Sequence, residues 1–148
     1  MPPEGKKPDK LSIIAFSGDF ERVHYALAMA SAAAATNTPA TLFFTMGALA
    51  ALRRDGADGT PGWYALSPGA TGRSPKQREA ELASRGAATF KELLDACIEL
   101  RVKFMVCEMG LRAMAMAPSD LRPDIPYSAG GLVTLLAEAS ATGQILFI

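Results

Sequence analysis

Histidine is nearly missing from this 148-residue chain and cysteine is scarce: His24 stands alone, and Cys97 and Cys107 are the two thiols. One imidazole and two separated thiols do not make a ligand set, so no metal site is expected. Two cysteines build no disulfide framework, and no apolar core of a secretory signal follows Lys6 and Lys7. The expected compartment is therefore the reducing cytoplasm. Excess charge of either sign is absent, since 15 Lys and Arg balance 15 Asp and Glu. That balance argues against nucleic acid or an anionic membrane as the main partner, and it removes self-repulsion between copies. Long hydrophobic runs are lacking too. The softest apolar stretch, residues 26–35, is alanine-rich and closed by Thr36, Asn37 and Pro39, too short for membrane insertion. The glycine spacings of dinucleotide folds and P-loops are missing as well: the first apolar run is followed by SGDF, and no cofactor is expected.

What remains is a chain with 49% apolar residues, enough for one compact domain. Residues 1–10 are polar and proline-rich and read as a disordered arm before a single domain over 11–148. Residues 11–16, 40–45, 103–106, 125–127 and 144–148 are short runs that read as strands. Between them the spacing predicts helices. Phe20, Val23, Leu27, Ala30 and Ala34 form one stripe; Phe90, Leu93, Leu94, Cys97 and Ile98 form another. Shorter helices are predicted over 46–54, 108–116 and 132–141, with a helical turn or two in 76–84. Glycines and prolines dissolve the pattern over 55–75, which reads as a loop or lid carrying Trp63 and Tyr64, two aromatics expected to pack on something. Apolar strands alternating with helices predict an α/β domain: a doubly wound, mostly parallel sheet of about five strands with helices on both faces. The flavodoxin-like order 2-1-3-4-5 is expected. It would set strands one and three side by side at the point where strand order reverses, bringing Ser17, Gly18 and Asp19 into one crevice with Cys107.

The stretch 102–112, VKFMVCEMGLR, concentrates the chemistry: a buried strand ends on Cys107 and a helix begins at once. Amides at a helix start favour an anion, and a thiolate held there becomes reactive. Gly110 removes bulk beside the sulfur, whereas Glu108 repels a thiolate if close. Thr45, at the end of the second strand, and Met109 complete the candidate neighbours. His24, early in the first helix, could assist the thiol or be an ordinary helix-surface histidine. Cys107 could equally be a packed thiol, since free cysteine is often buried. Cys97, on an apolar helix stripe, reads as core. The strand between the two cysteines, at ~3.3 Å per residue, separates them by about 15 Å, and a disulfide needs Cα atoms within ~7 Å.

The segments IIAFSGDFERV, ATLFFTMGALAAL, FKELLDACIELRVKFMVCEMGL and GGLVTLLAEASATGQILFI together resemble the DsrE/DsrF-like family, particularly its peroxiredoxin-associated branch. The segment beginning FFT and the Cys107–Glu108–Met109 sequence carry the resemblance most specifically. It implies a flavodoxin-like fold, homo-oligomers (trimers or hexamers), and sulfur-relay chemistry on Cys107 with donor and acceptor proteins as partners. On this reading Cys107 accepts sulfane sulfur and passes it on, Ser17 and Gly18 help hold the anionic sulfur, and Trp63–Tyr64 or a neighbouring subunit limits water. Two other readings stay open: a non-catalytic oligomeric binding module of the same fold, and a thiol redox sensor.

Overall fold

A computed structural model describes residues 7–148. Five parallel strands form one sheet: β1 (Leu11–Ala15), β2 (Ala40–Phe44), β3 (Lys103–Cys107), β4 (Tyr127–Gly130) and β5 (Gln144–Phe147). The helices are α1 (Phe20–Ala35), α2 (Pro75–Ser84), α3 (Phe90–Glu99), α4 (Glu108–Ala113) and α5 (Leu132–Glu138). The α/β class, the parallel sheet and the helices on both faces are as expected.

The strand order is not. It runs β4-β3-β2-β1-β5, so β2 lies between β1 and β3. The chain steps outward from β1 to β4, then returns across the sheet to lay β5 against the free side of β1. Right-handed crossovers therefore put α1, α3 and α4 on one face and leave α5 alone on the other. The reversal of strand order falls between β1 and β5, not between β1 and β3.

Side-chain alternation divides the apolar residues accordingly. Ile13, Leu42, Phe44, Phe104 and Val106 face Val23, Leu27, Phe90, Leu94 and Cys97 in the main core. On the other face Phe43, Met105 and Cys107 gather under Leu135 of α5, with Ile14 beside them. α1 begins sharply because Asp19 Oδ1 accepts the Glu21 amide at 2.8 Å, and α3 because Thr89 Oγ1 accepts that of Glu92 at 3.1 Å.

The glycine- and proline-rich stretch is a strap on the main-core face, not a cover for Cys107. Its short 3-10 turn Gly62–Ala65 buries Trp63 against Phe90 and Phe20, at centroid distances of 4.7 and 6.3 Å. Ser67 ties the strap down: its amide donates to Gly18 O at 2.8 Å and its carbonyl accepts from the Phe20 amide at 3.0 Å. Of residues 46–54, expected as a short helix, Met46–Leu52 wind as a 3-10 helix.

The arm reading of residues 1–6 lies outside the described residues. Asp9 accepts hydrogen bonds from Ser140 and Thr142, and Lys10 Nζ donates to Glu138 O at 2.9 Å.

Candidate functional site

Cys107 is the last residue of β3 and the N-cap of α4, and its Sγ accepts the Gly110 amide at 3.3 Å. The turn is tight because α4 lies directly on the end of β2. A Cβ on residue 110 would stand 2.7 Å from Thr45 Oγ1 and 2.9 Å from the Met46 nitrogen. Glycine is thus required by the neighbouring strand end rather than by the sulfur itself. Met46 holds φ of +48°, a left-handed conformation uncommon for a non-glycine residue, on the same rim. Gly110 belongs to the Cys107 turn, and Thr45 packs against Gly110.

The sulfur is sealed. Cys107 is 2% exposed and packs with Phe43, Met105 and Leu135 beneath α5. The arrangement places one backbone donor on Sγ inside an apolar pocket. Glu108 and Met109, next in sequence, are exposed at the start of α4. Glu108 lines a groove of about 250 Å³ with Leu111, Arg112, Met116 and Tyr127, whose apolar members belong to the main-core face of the sheet, opposite the sulfur.

The remaining candidates are elsewhere. The Ser17–Asp19 turn sits at the end of β1, two strand spacings of ~4.8 Å from β3, with the Gly47 backbone packed against Gly18 between them. Ser17 Oγ accepts the Asp19 amide at 3.1 Å, so the turn caps α1 and anchors the strap. The expected shared crevice with Cys107 does not form, because it depended on β1 and β3 being neighbours. His24 is on α1, across the sheet from the sulfur. Its Nε2 is 2.8 Å from Ala88 O and its ring stacks on Phe20. At the true point of reversal, beside the ends of β1 and β5, is a separate groove of about 540 Å³ lined by Phe20, Arg22, His24, Tyr25 and Arg78.

Cys97 is fully buried in the main core, where its Sγ–H donates to Leu27 O at 3.3 Å. Burial pushes its thiol up to about 12, outweighing an opposing backbone hydrogen bond at Ser31. The two cysteines lie on opposite faces of the sheet and are free. Phe43 and Leu135, which enclose the sulfur, were not singled out from the sequence. No local signal marks Phe43, whose pairing with Met105 depends on β2 lying beside β3, whereas Leu135 is the inward position of its helix.

Five parallel strands with helices on both faces make this an α/β protein. The sequence profile of the DsrE/DsrF-like family matches residues 10–142, and the chain belongs to that family. It is 26% identical to the sulfur carrier protein DsrE2 of Allochromatium vinosum, over 80% of this chain and 86% of that protein. It is likewise 26% identical to the uncharacterized protein YrkE of Bacillus subtilis, over 94% and 96% of the two chains. Among solved structures, YchN of E. coli superposes with a TM-score of 0.55 at 15% identity, covering 94% of this chain and 99% of that one. The protein of unknown function MTH1491 from Methanobacterium thermoautotrophicum gives 0.52 at 15% identity, covering 94% and 98%. These two likenesses concern the fold. No helix among the described residues is long and apolar enough to cross a membrane.

Proposed function

We propose that the protein is a sulfur-relay carrier in which Cys107 holds sulfane sulfur as a persulfide. The supporting observation is the Gly110 amide donating to Cys107 Sγ at a strand end, in a chain related to a protein named as a sulfur carrier. In the loading step the Cys107 thiolate attacks the outer sulfur of a donor persulfide. The bond from that sulfur to the donor's own sulfur breaks, a new bond to Sγ forms, and the donor leaves as a thiolate that can take up the proton Cys107 lost. Unloading is the same exchange with an acceptor thiolate, so no net oxidation or reduction occurs. With Cys97 across the sheet, the sulfur passes between proteins, and donor and acceptor proteins are the partners. A cytoplasmic setting and a homo-oligomeric state, trimer or hexamer, belong to the same reading.

Incubation with inorganic polysulfide to its endpoint, followed by intact mass measurement, is expected to show one adduct of about 32 Da, one sulfur atom added as a persulfide, lost in Cys107→Ser. The burial of Cys107 favours a second reading, a binding module in which the thiol only packs. That reading predicts no sulfur adduct at the endpoint and an unchanged fold in Cys107→Ala.

A further inference from the structure

The way α5 covers the sulfur has a consequence for which donors can load it. Leu135 is fully buried on Phe43, Met105 and Cys107, while its helix neighbours Val133 and Leu136 are 85% and 59% exposed. One side chain therefore supplies the inward packing of the helix over the thiol. The two ends of α5 are held differently. At the far end Lys103 Nζ bonds Glu138 Oε2 at 2.7 Å, Lys10 Nζ donates to the Glu138 carbonyl, and Asp9 holds Ser140 and Thr142 just beyond. At the near end, which follows the β4 residue paired with Cys107, the N-cap is Gly131 and no side chain caps the helix. A Cβ on residue 131 would meet nothing within 4 Å, so the backbone there is not crowded.

We infer that Leu135 is the gate of the site: the near end of α5, loosely held at Gly131, swings away about the pinned far end, and Cys107 reacts only while Leu135 is lifted. This rests on Cys107 being the sulfur-bearing residue and adds which donors it can meet. Lifting the helix exposes Leu135, Phe43 and Met105 to water, which is unfavourable. A small hydrophilic persulfide cannot cover that surface, so it loads slowly, at the rate set by opening. Leu135 thereby discriminates against small charged donors.

The test is the alkylation rate of each cysteine by iodoacetamide, read by mass spectrometry on the native chain. Wild-type Cys107 is expected to react on the order of 100-fold slower than a free thiol, because only the locally opened state is labelled. Leu135→Ala is expected to raise that rate at least about tenfold, since it removes the packing that holds the closed state, and Leu136→Ala to leave it unchanged. Cys97 reports global unfolding: it must stay unlabelled in both variants, and if it is labelled together with Cys107 in Leu135→Ala, the opening is not local and the gate is refuted. Free-thiol reactivity of Cys107 in the wild type, or no acceleration in Leu135→Ala, also overturns it. The polysulfide endpoint is independent: a gated Cys107 that takes no sulfur contradicts the carrier and leaves the gate standing.

Discussion

Two cysteines in one chain meet opposite fates because of the side of the sheet each occupies. Cys97 points into the main core, where the cost of charging its buried sulfur outweighs a backbone hydrogen bond at Ser31, and burial raises the thiol from its ordinary 9.0 to about 12. Below pH 9 the folded and unfolded chains both carry the neutral thiol, and its contribution to stability is fully present. Above 9 the unfolded chain ionises first, so that contribution is lost as pH rises toward 12, reaching about 4 kcal/mol at 1.36 kcal/mol per unit. Urea denaturation from pH 8 to 11 is expected to show a steeper alkaline loss in the wild type than in Cys97→Ala. Equal slopes would contradict this. Cys107 is buried as well, yet it has a backbone amide on its sulfur and only one helix above it. Gly110 makes that geometry possible, and Gly110→Ala, which sets a methyl against Thr45 Oγ1 and the Met46 nitrogen, is expected to cost about 1–3 kcal/mol in urea melts. The sequence pointed to Gly110 for the wrong reason, since its crowding comes from the end of β2, a long-range contact that local spacing cannot reveal.

At the scale of elements, most of the chain was legible. Apolar runs and capping residues locate β1, β2, β3, β5, α1 and α3 to within a residue or two, because periodicity and caps are local signals. The apolar run 125–127 marks the fourth strand two residues early, because Ile125 is buried ahead of β4, which begins at Tyr127. The strap was not legible as ordered structure. What orders it is distant: Trp63 on Phe90, Ser67 on Gly18, and Arg122, whose guanidinium lies 3.8 Å from the Asp55 carboxylate while it holds Asp124 with two bonds of 2.7 and 3.0 Å. The hydrogen bonds from Arg122 hold the Asp124 carboxyl below its ordinary 3.8. A lowered carboxylate contributes stability above 3.8 that is lost as pH falls through its folded value. The Asp124 side chain is 54% exposed and screened by solvent, so the effect is expected below about 1 kcal/mol. Acid titration of stability should be slightly flatter in Asp124→Asn; an unchanged acid limb would show that the Arg122–Asp124 pair contributes nothing. Trp63→Ala, which empties the centre of the strap's packing, is expected to cost about 3–5 kcal/mol in urea melts, and a cost below 1 would mean that the strap is not part of the core.

For the whole molecule, the strand order was the part the sequence withheld. Five short apolar strands with helical crossovers fit several orders equally well, because a strand buried on both faces carries little information about which neighbour lies beside it. The observed order separates Cys107 from the Ser17–Asp19 turn and from His24, and it places the 540 Å³ groove by α1 apart from the thiol. It also leaves the Cys107 face with a single covering helix whose outer side chains, Leu132, Val133 and Leu136, are exposed. The proposed exchange of sulfur between proteins would be served by this plan: the thiol is kept from water and from Cys97, and the proposed lifting of α5 would make it available. The claim on which the rest depends is that Cys107 takes up sulfur. Intact mass of the wild type and of Cys107→Ser, after polysulfide treatment carried to its endpoint, tests it most directly. The account predicts a single adduct of about 32 Da on the wild type and none on the variant. An unmodified wild type, or an adduct that persists in Cys107→Ser, would contradict it.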